Sequence, residues 1–345
     1  MRDIIKKLSV AHSLALEEYK LLIEGYSKEN AKILADLAVS ERKEQYSNKV
    51  FVRGLIEISN YCKNNCLYCG IRRDNRDCER YRLEKDEILS CCDEGYALGF
   101  RTFVMQGGED AHYSDDYLCE IISVIKKKYP DCAVTLSLGE RSYESYKKLY
   151  IAGADRYLLR HETADAEHYS KLHPKELSFD ARMKALKNLK EIGYQVGCGF
   201  MVGSPHQTSL TLSKDLKFIE EFKPHMCGIG PFIPHHATPF AQESVGSVEL
   251  TCYLLSIIRL IHPKILLPAT TALGSLEEYG REKGIMAGAN VVMPNLSPYD
   301  NRKKYEIYNN KLFGSAESAQ AIADLKERMS AIGYEVVEDR GDAKE

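Results

Sequence analysis

From Phe51 onward the chain alternates short apolar runs with longer amphipathic ones, and this rhythm constrains the fold more than any other feature. Strand-like runs fall at 52–58, 101–106, 133–138, 155–160, 195–202, 226–230, 264–269 and 290–293. Between them, apolar residues recur at helical spacing over 84–98, 114–128, 142–152, 178–192, 209–222, 247–261 and 275–287. Strands that alternate with helices at this spacing build a parallel sheet. Eight of them predict an α/β fold, a complete (β/α)8 TIM-type barrel. Residues 1–46 carry Leu14, Leu21, Leu22, Ile33, Leu34 and Leu37 among charges, with Ser27 as a helix cap. They read as an N-terminal helical cover and not as a separate domain. The expected division is therefore 1–46 cover, 47–312 barrel and 313–345 C-terminal helix with a disordered tail from Glu338.

A parallel barrel gathers its chemistry at the C-terminal ends of the strands. The first strand runs directly into Tyr61–Gly70, which reads Y-C-K-N-N-C-L-Y-C-G and carries Cys62, Cys66 and Cys69. Three thiolates on one short loop can hold three irons of a [4Fe–4S] cluster, whose full protein ligation takes four cysteines. One iron is then left open for another ligand. The competing reading is a structural zinc, with Cys78 as a distant fourth ligand, but zinc ligands usually come as two closely spaced pairs. The other eight cysteines are scattered between Cys78 and Cys252 and read as small apolar packing residues. So many free thiols fit a reducing cytoplasm, and no secretory h-region is visible near Met1. A net charge of −3 with no basic stripe argues against nucleic acid. No run of 18 uncharged apolar residues argues for a membrane span.

The remaining strand ends also carry polar side chains. The second ends in Gly107, Gly108 and Glu109, where glycine lets backbone pass close to a ligand. The third alternates Thr135 and Ser137 with Leu, so both hydroxyls share one face, as anion ligands or as a polar plug of the lumen. The fourth ends Arg160-His161-Glu162, three titratable groups in a row. Arg160 suits a substrate carboxylate or a cyanide-like anion. The fifth run, Gly197 to Gly203 with Met201, is glycine-rich, as close approach by a ligand requires. Gly228-Ile229-Gly230 ends the sixth, Thr270 and Thr271 follow the seventh, and Tyr305 lies beyond the eighth.

The C-x3-C-x2-C loop resembles that of the radical S-adenosylmethionine (SAM) enzymes. With Q-G-G-E-D, T-L-S-L-G-E, A-D-R-Y-L-L-R-H-E-T-A, G-I-G-P-F-I-P-H and P-A-T-T-A-L-G, residues 45 to 310 resemble the [FeFe]-hydrogenase maturases of the HydE type. The resemblance implies that SAM chelates the open iron and is cleaved by one electron to methionine and a 5′-deoxyadenosyl radical. It implies that Tyr68, Gly107, Gly108, Glu109, Glu162, Arg182, Met201 and Ile229 hold SAM. In that reading Glu162 takes the ribose hydroxyls, Arg182 the carboxylate, and Ile229 lies against the adenine. Thr135, Ser137, Arg160, His161, Thr270, Thr271 and Tyr305 would face the substrate, a small iron complex carrying cysteine, CO and cyanide. Other hydrogenase maturases and an electron donor such as ferredoxin or flavodoxin are the implied partners. Some members bind a second cluster through C-terminal cysteines. No cysteine follows Cys252 here, so one cluster is expected. Two alternatives stand beside this reading. One is a methylornithine synthase-like mutase. The other is a non-catalytic iron–sulfur carrier, which would need the cluster but no SAM pocket.

Overall fold

The computed structural model describes residues 1–314 and 318–344. Three helices open the chain: α1 (Arg2–Ala11), α2 (Leu16–Glu24) and α3 (Lys28–Tyr46). Ser27 caps α3 by accepting the amide of Asn30. These helices belong to the main hydrophobic core. α2 packs on α9 (Ser209–Phe222) and α3 on α10 (Val248–Ile261). Glu220 of α9 ties down this corner by accepting hydrogen bonds from Ser13 and Tyr19.

A six-stranded parallel sheet carries the strand ends of interest. Its strands are β2 (Gly54–Ser59), β3 (Thr102–Gly107), β4 (Ala133–Ser137), β5 (Arg156–Leu158), β6 (Gln195–Cys198) and β8 (Met226–Cys227), neighbours in that order. The intervening helices are α4 (Lys85–Ala97), α5 (Asp115–Lys128), α6 (Tyr143–Ile151), α7 (Ala166–Leu172), α8 (Phe179–Ile192) and α9. The register pairs Glu57 with Gln106 and Gln106 with Ser137, so these three form one row on the inner face. Beyond β8 the pairing thins to single bridges, Met226 with Leu266 and Pro268 with Val291. A second parallel sheet joins β10 (Val291–Val292), β1 (Lys49–Val52) and β11 (Glu335–Val337). Leu55 of β2 also bridges Asn295.

Several expected elements are broken for identifiable reasons. The run 195–202 divides at Gly199, whose φ of 153° only glycine adopts readily, and a Cβ there would lie 2.1 Å from the Gly228 carbonyl oxygen. The continuation, β7 (Met201–Val202), pairs with β9 (Gly230–Pro231). The run 264–269 forms no regular strand, because Pro268 has no amide to give a ladder. The run 275–287 becomes α11 (Thr271–Leu276) and α12 (Gly280–Met286). Two short helices, α7 and α13 (Tyr299–Arg302), lie where no helix was expected; α14 (Ile322–Ala331) is the C-terminal one.

The tail overturns an expectation. It is not disordered over its described length: after β11, the Arg340 carbonyl accepts from Thr102 Oγ1 and Arg156 Nη2, and Asp342 pairs with Arg156 at 2.5 Å. Arg156 is fully buried and Arg53 nearly so, and buried guanidinium groups need acceptors. The tail supplies them. Glu345 lies outside the described residues. Among the described residues, no helix is long and apolar enough to cross a membrane.

Candidate active site

The cysteine loop leaves the end of β2 and is fastened by side chains on the segment that follows it. Arg80 donates to the carbonyls of Asn60, Ile71, Arg72 and Asn75, the last three at 2.7–3.1 Å. Asn60 donates to the carbonyls of Glu79 and Lys304 and accepts from the Tyr81 amide. Arg82 forms a two-pronged pair with Asp110 (2.7 and 2.9 Å) while its guanidinium lies 3.9 Å over the Tyr61 ring. Gly70 gives its amide to Ile307, and a Cβ there would meet the Glu306 carbonyl oxygen at 2.2 Å. The segment around 304–309 therefore lies directly against the loop.

The three thiols share one electrostatic environment. Burial pushes all of them up, Cys66 to about 12, and repulsion from Cys62 adds to the shift at Cys66 and Cys69. Three anions here need cations to hold them, which is what iron supplies. Among the described residues, no three His, Cys, Asp or Glu side chains converge closely enough for a single metal ion. A cluster asks for no such convergence, since each iron takes one thiolate. Cys78 stands apart, with its sulfur 3.5 Å from Asn60 Nδ2.

The end of β3 closes on the loop. Gly108 has no room for a side chain: a Cβ would lie 2.2 Å from the Tyr61 carbonyl oxygen and 2.7 Å from Cys62 Cβ. The Glu109 amide donates to Cys62 Sγ (3.4 Å), and its carboxylate meets Lys63 (3.0 Å) and the Glu140 amide (2.8 Å). Glu162 follows β5 with a φ of 62°, left-handed for a non-glycine residue. The residue is 6% exposed, and Oε2 has no hydrogen-bond partner among the described residues. Its charge helps raise Cys66, Cys69 and Tyr68, so it lies near the cysteine loop. A buried acceptor left open beside the thiols fits a ligand with hydroxyl donors. Arg182 reaches in from α8, with Nε on Glu140 (2.5 Å) and Nη1 on the Arg160 carbonyl (2.6 Å). Tyr68 gives its hydroxyl to His173 (3.2 Å) and packs with Met201, Phe232 and Phe240, while Ile229 is buried in the main core.

The expected substrate residues divide. Thr135 and Thr270 each have a buried hydroxyl oxygen without a partner among the described residues. Ser137 lies in the inner row with Glu57 and Gln106. The half-buried Arg160 forms no ion pair among the described residues. Tyr305 is buried and takes a hydrogen bond from Gln106 (3.4 Å). Thr271 instead begins α11, near Arg281 (3.4 Å). His161 is displaced from the expected face: it is fully buried, packed on Phe200 and Phe218 and 3.3 Å from Asp215. Its ring turns into the core, against Phe218 of α9. One buried pair escaped the sequence reading altogether. Lys311 reaches Glu57 at 2.6 Å, and Asn295 holds the other carboxylate oxygen at 2.9 Å.

A family model described as the radical SAM superfamily matches residues 56–219. The HydE subunit of an [FeFe] hydrogenase maturase from Thermotoga maritima is 40% identical, over 99% of this chain and 97% of that one. The chain belongs to the radical SAM superfamily, in its HydE-type maturase family. This radical SAM enzyme has a [4Fe–4S] cluster and SAM as its cofactors. The superfamily match runs from within β2 to within α9, and so contains the cysteine loop, Gly107–Glu109, Glu162 and Arg182. A 3-methylornithine synthase from Methanosarcina acetivorans is 28% identical over 96% of this chain and 92% of its own. The crystal structure of methylornithine synthase PylB superposes with a TM-score of 0.84 at 26% identity, covering 97% of each chain. HydG from Carboxydothermus hydrogenoformans has the same fold, with a TM-score of 0.80 at 20% identity over 96% of this chain and 78% of its own.

Proposed function

We propose that this radical SAM enzyme acts in assembly of the [FeFe]-hydrogenase H-cluster, on a small iron complex carrying cysteine, CO and cyanide. The observation that carries the reading is 40% identity to a HydE subunit over nearly the full length of both chains. The cluster, when bound, supplies the electron that cleaves SAM to methionine and a 5′-deoxyadenosyl radical. This chain's residues hold and orient the reactants. Cys62, Cys66 and Cys69 ligate iron, and Gly108 keeps the β3 turn against them. Glu109 and the Gly107–Gly108 backbone face the methionine amino group. Arg182, held by Glu140, faces its carboxylate. Glu162 takes the ribose hydroxyls on its open Oε2. Tyr68, Met201 and Ile229 provide apolar walls. Arg160 supplies the unpaired positive charge for an anionic substrate, with Thr135, Ser137, Thr270 and Tyr305 around it.

The proposal includes the architecture. Arg53, Val104, Thr135, Leu158, Met226, Pro268 and Met293, from seven of the eight expected runs, line one small cavity. With the bridges at Leu266, Val291 and Asn295, this supports a closed (β/α)8 barrel over 47–312, covered by 1–46 and extended by 313–345. A cytoplasmic site, an acidic one-electron donor such as ferredoxin or flavodoxin, and transfer from or to other maturases belong to the same reading.

A second reading, a methylornithine synthase-like mutase, is favoured by the TM-score of 0.84 to PylB. One experiment separates them. The cluster is reconstituted without oxygen, and SAM, dithionite and either the iron–cysteine complex or candidate amino acids are added. The maturase reading expects new EPR signals and 5′-deoxyadenosine that depend on the iron complex. Turnover with an amino acid alone would replace it.

A further inference from the structure

Behind Glu162 lies a buried polar pair with no place in the reaction described so far. His161 and Asp215 are both fully buried, and His161 Nε2 lies 3.3 Å from Asp215 Oδ1. The tautomer follows from the other ring nitrogen. Nδ1 accepts the Gly199 amide at 3.3 Å, so the neutral ring carries its proton on Nε2, beside Asp215 but without a hydrogen-bond partner among the described residues. Asp215 Oδ1 also accepts the Ala164 amide at 2.5 Å. The Gly199 carbonyl accepts the Glu162 amide at 3.0 Å. Residues 161, 162 and 164 are thus pinned in turn to Gly199 and to α9.

The object of this pinning is a strained residue. Glu162 has the left-handed φ of 62°, which non-glycine residues adopt rarely and hold only where surrounding contacts overdetermine it. The anchor is itself constrained: Gly199 has a φ of 153° and its would-be Cβ overlaps the Gly228 carbonyl. Burying an aspartate costs free energy unless its oxygens are satisfied. Asp215 Oδ2 has no partner among the described residues, and burial raises the carboxyl above its ordinary range. A packing role alone would be served better by an apolar residue between Phe200, Phe218 and α9. The polar pair has another use: it fixes the backbone on both sides of Glu162.

We propose that Asp215 and His161 are positioning residues for SAM, holding the 161–164 turn so that Glu162 Oε2 faces the cysteine loop at the ribose. The proposal rests on the reading of Glu162 as the ribose acceptor. It predicts that loss of the pair removes discrimination at the ribose hydroxyls while leaving the cluster in place.

The test uses the reconstituted holoenzyme and measures dissociation constants for SAM and for its 2′-deoxyribose analogue by equilibrium dialysis. In the parent, the analogue should bind about ten- to a hundredfold more weakly, the loss expected for one hydrogen bond to a charged group. In Asp215→Ala and in His161→Phe, which keeps the aromatic packing, the two ligands should bind within about twofold, the residue of a lost contact. Bound iron should stay at the parent value. Asp215→Asn keeps an oxygen for the Ala164 amide and a polar group of the same shape beside His161, and should retain the parental ratio. If Asp215→Ala does not fold, His161→Phe reads the same quantity. A parental ratio in either disruptive variant overturns the proposal, as does an Asp215→Asn that behaves like Asp215→Ala. Glu162→Gln is measured alongside. If it too keeps the parental ratio, the ribose reading of Glu162 has failed and takes this proposal with it. If it loses the ratio while the disruptive variants keep it, only the positioning role has failed.

Discussion

The buried pair of Lys311 and Glu57 gives a quantitative test of how the segment after β10 is held against β2. The two side chains meet at 2.6 Å and are 7% and 0% exposed. Asn295 satisfies one oxygen of Glu57, so the other depends on Lys311. Lys311→Met leaves a carboxylate with no route to water. Removing one partner of a buried pair costs about 3–5 kcal/mol. Replacing both by neutral groups of similar shape is close to neutral, since neither desolvation penalty is then incurred. The double variant Glu57→Gln with Lys311→Met should therefore lie within about 1–2 kcal/mol of the parent, and above Lys311→Met alone. Denaturant unfolding of all four members of the cycle, with midpoints and slopes fitted together, gives the coupling energy. The reasoning fails if Lys311→Met costs less than about 1 kcal/mol, the value of an exposed pair. It fails equally if the double variant shows the sum of the two single losses.

Other expectations follow from the site and its supports. Cys62→Ser, Cys66→Ser and Cys69→Ser should each lose the cluster and SAM cleavage, whereas Cys198→Ala keeps both; 5′-deoxyadenosine formed by any of the three would contradict the ligand assignment. Parent protein should hold about four irons per chain and the triple alanine variant close to none, and a value near eight would reveal a second cluster site. Gly108→Ala should lose bound iron while the fold survives, because its Cβ would lie 2.2 Å from the Tyr61 carbonyl oxygen; iron assay with circular dichroism separates the two. Burial, with the Arg182 charge adding to it, lowers His173 to about 3, below the 6.5 of a free histidine. The unfolded chain then binds the extra proton between those values, so stability contributed by the neutral ring is present above about pH 6.5 and is lost as pH falls toward 3. His173→Gln should reduce the slope of unfolding free energy in that window by up to about 1.4 kcal/mol per pH unit, and an unchanged slope would place the titration elsewhere.

The sequence made the strand ends legible because barrel chemistry sits where periodic apolar runs stop. Gly107–Glu109 and Arg160–Glu162 both lie at such stops, beside the cysteine loop or directed toward it. What escaped has a common physical cause: it depends on contacts between segments far apart in the chain. Arg80 organises the cysteine loop by donating to four carbonyls, and nothing in the local order Arg80-Tyr81-Arg82 distinguishes it from a solvated arginine. Lys311 and Glu57 are separated by 254 positions. The tail after Glu338 has the composition of a disordered segment, yet its acceptors are demanded by Arg53 and Arg156, whose burial no periodicity reveals. His161 was misplaced for a more local reason. The strand ends at Leu158 and the backbone turns left-handed at Glu162, so strand periodicity does not set which way His161 faces, and its ring turns into the core. There it meets Asp215, which lies on the inner side of α9 among apolar residues and would read in isolation as an error of patterning. A buried acid on a helix face is costly, so its partner and what that partner holds are the questions to ask of it. Here the answer leads to the turn that carries Glu162, whose buried Oε2 has no partner among the described residues.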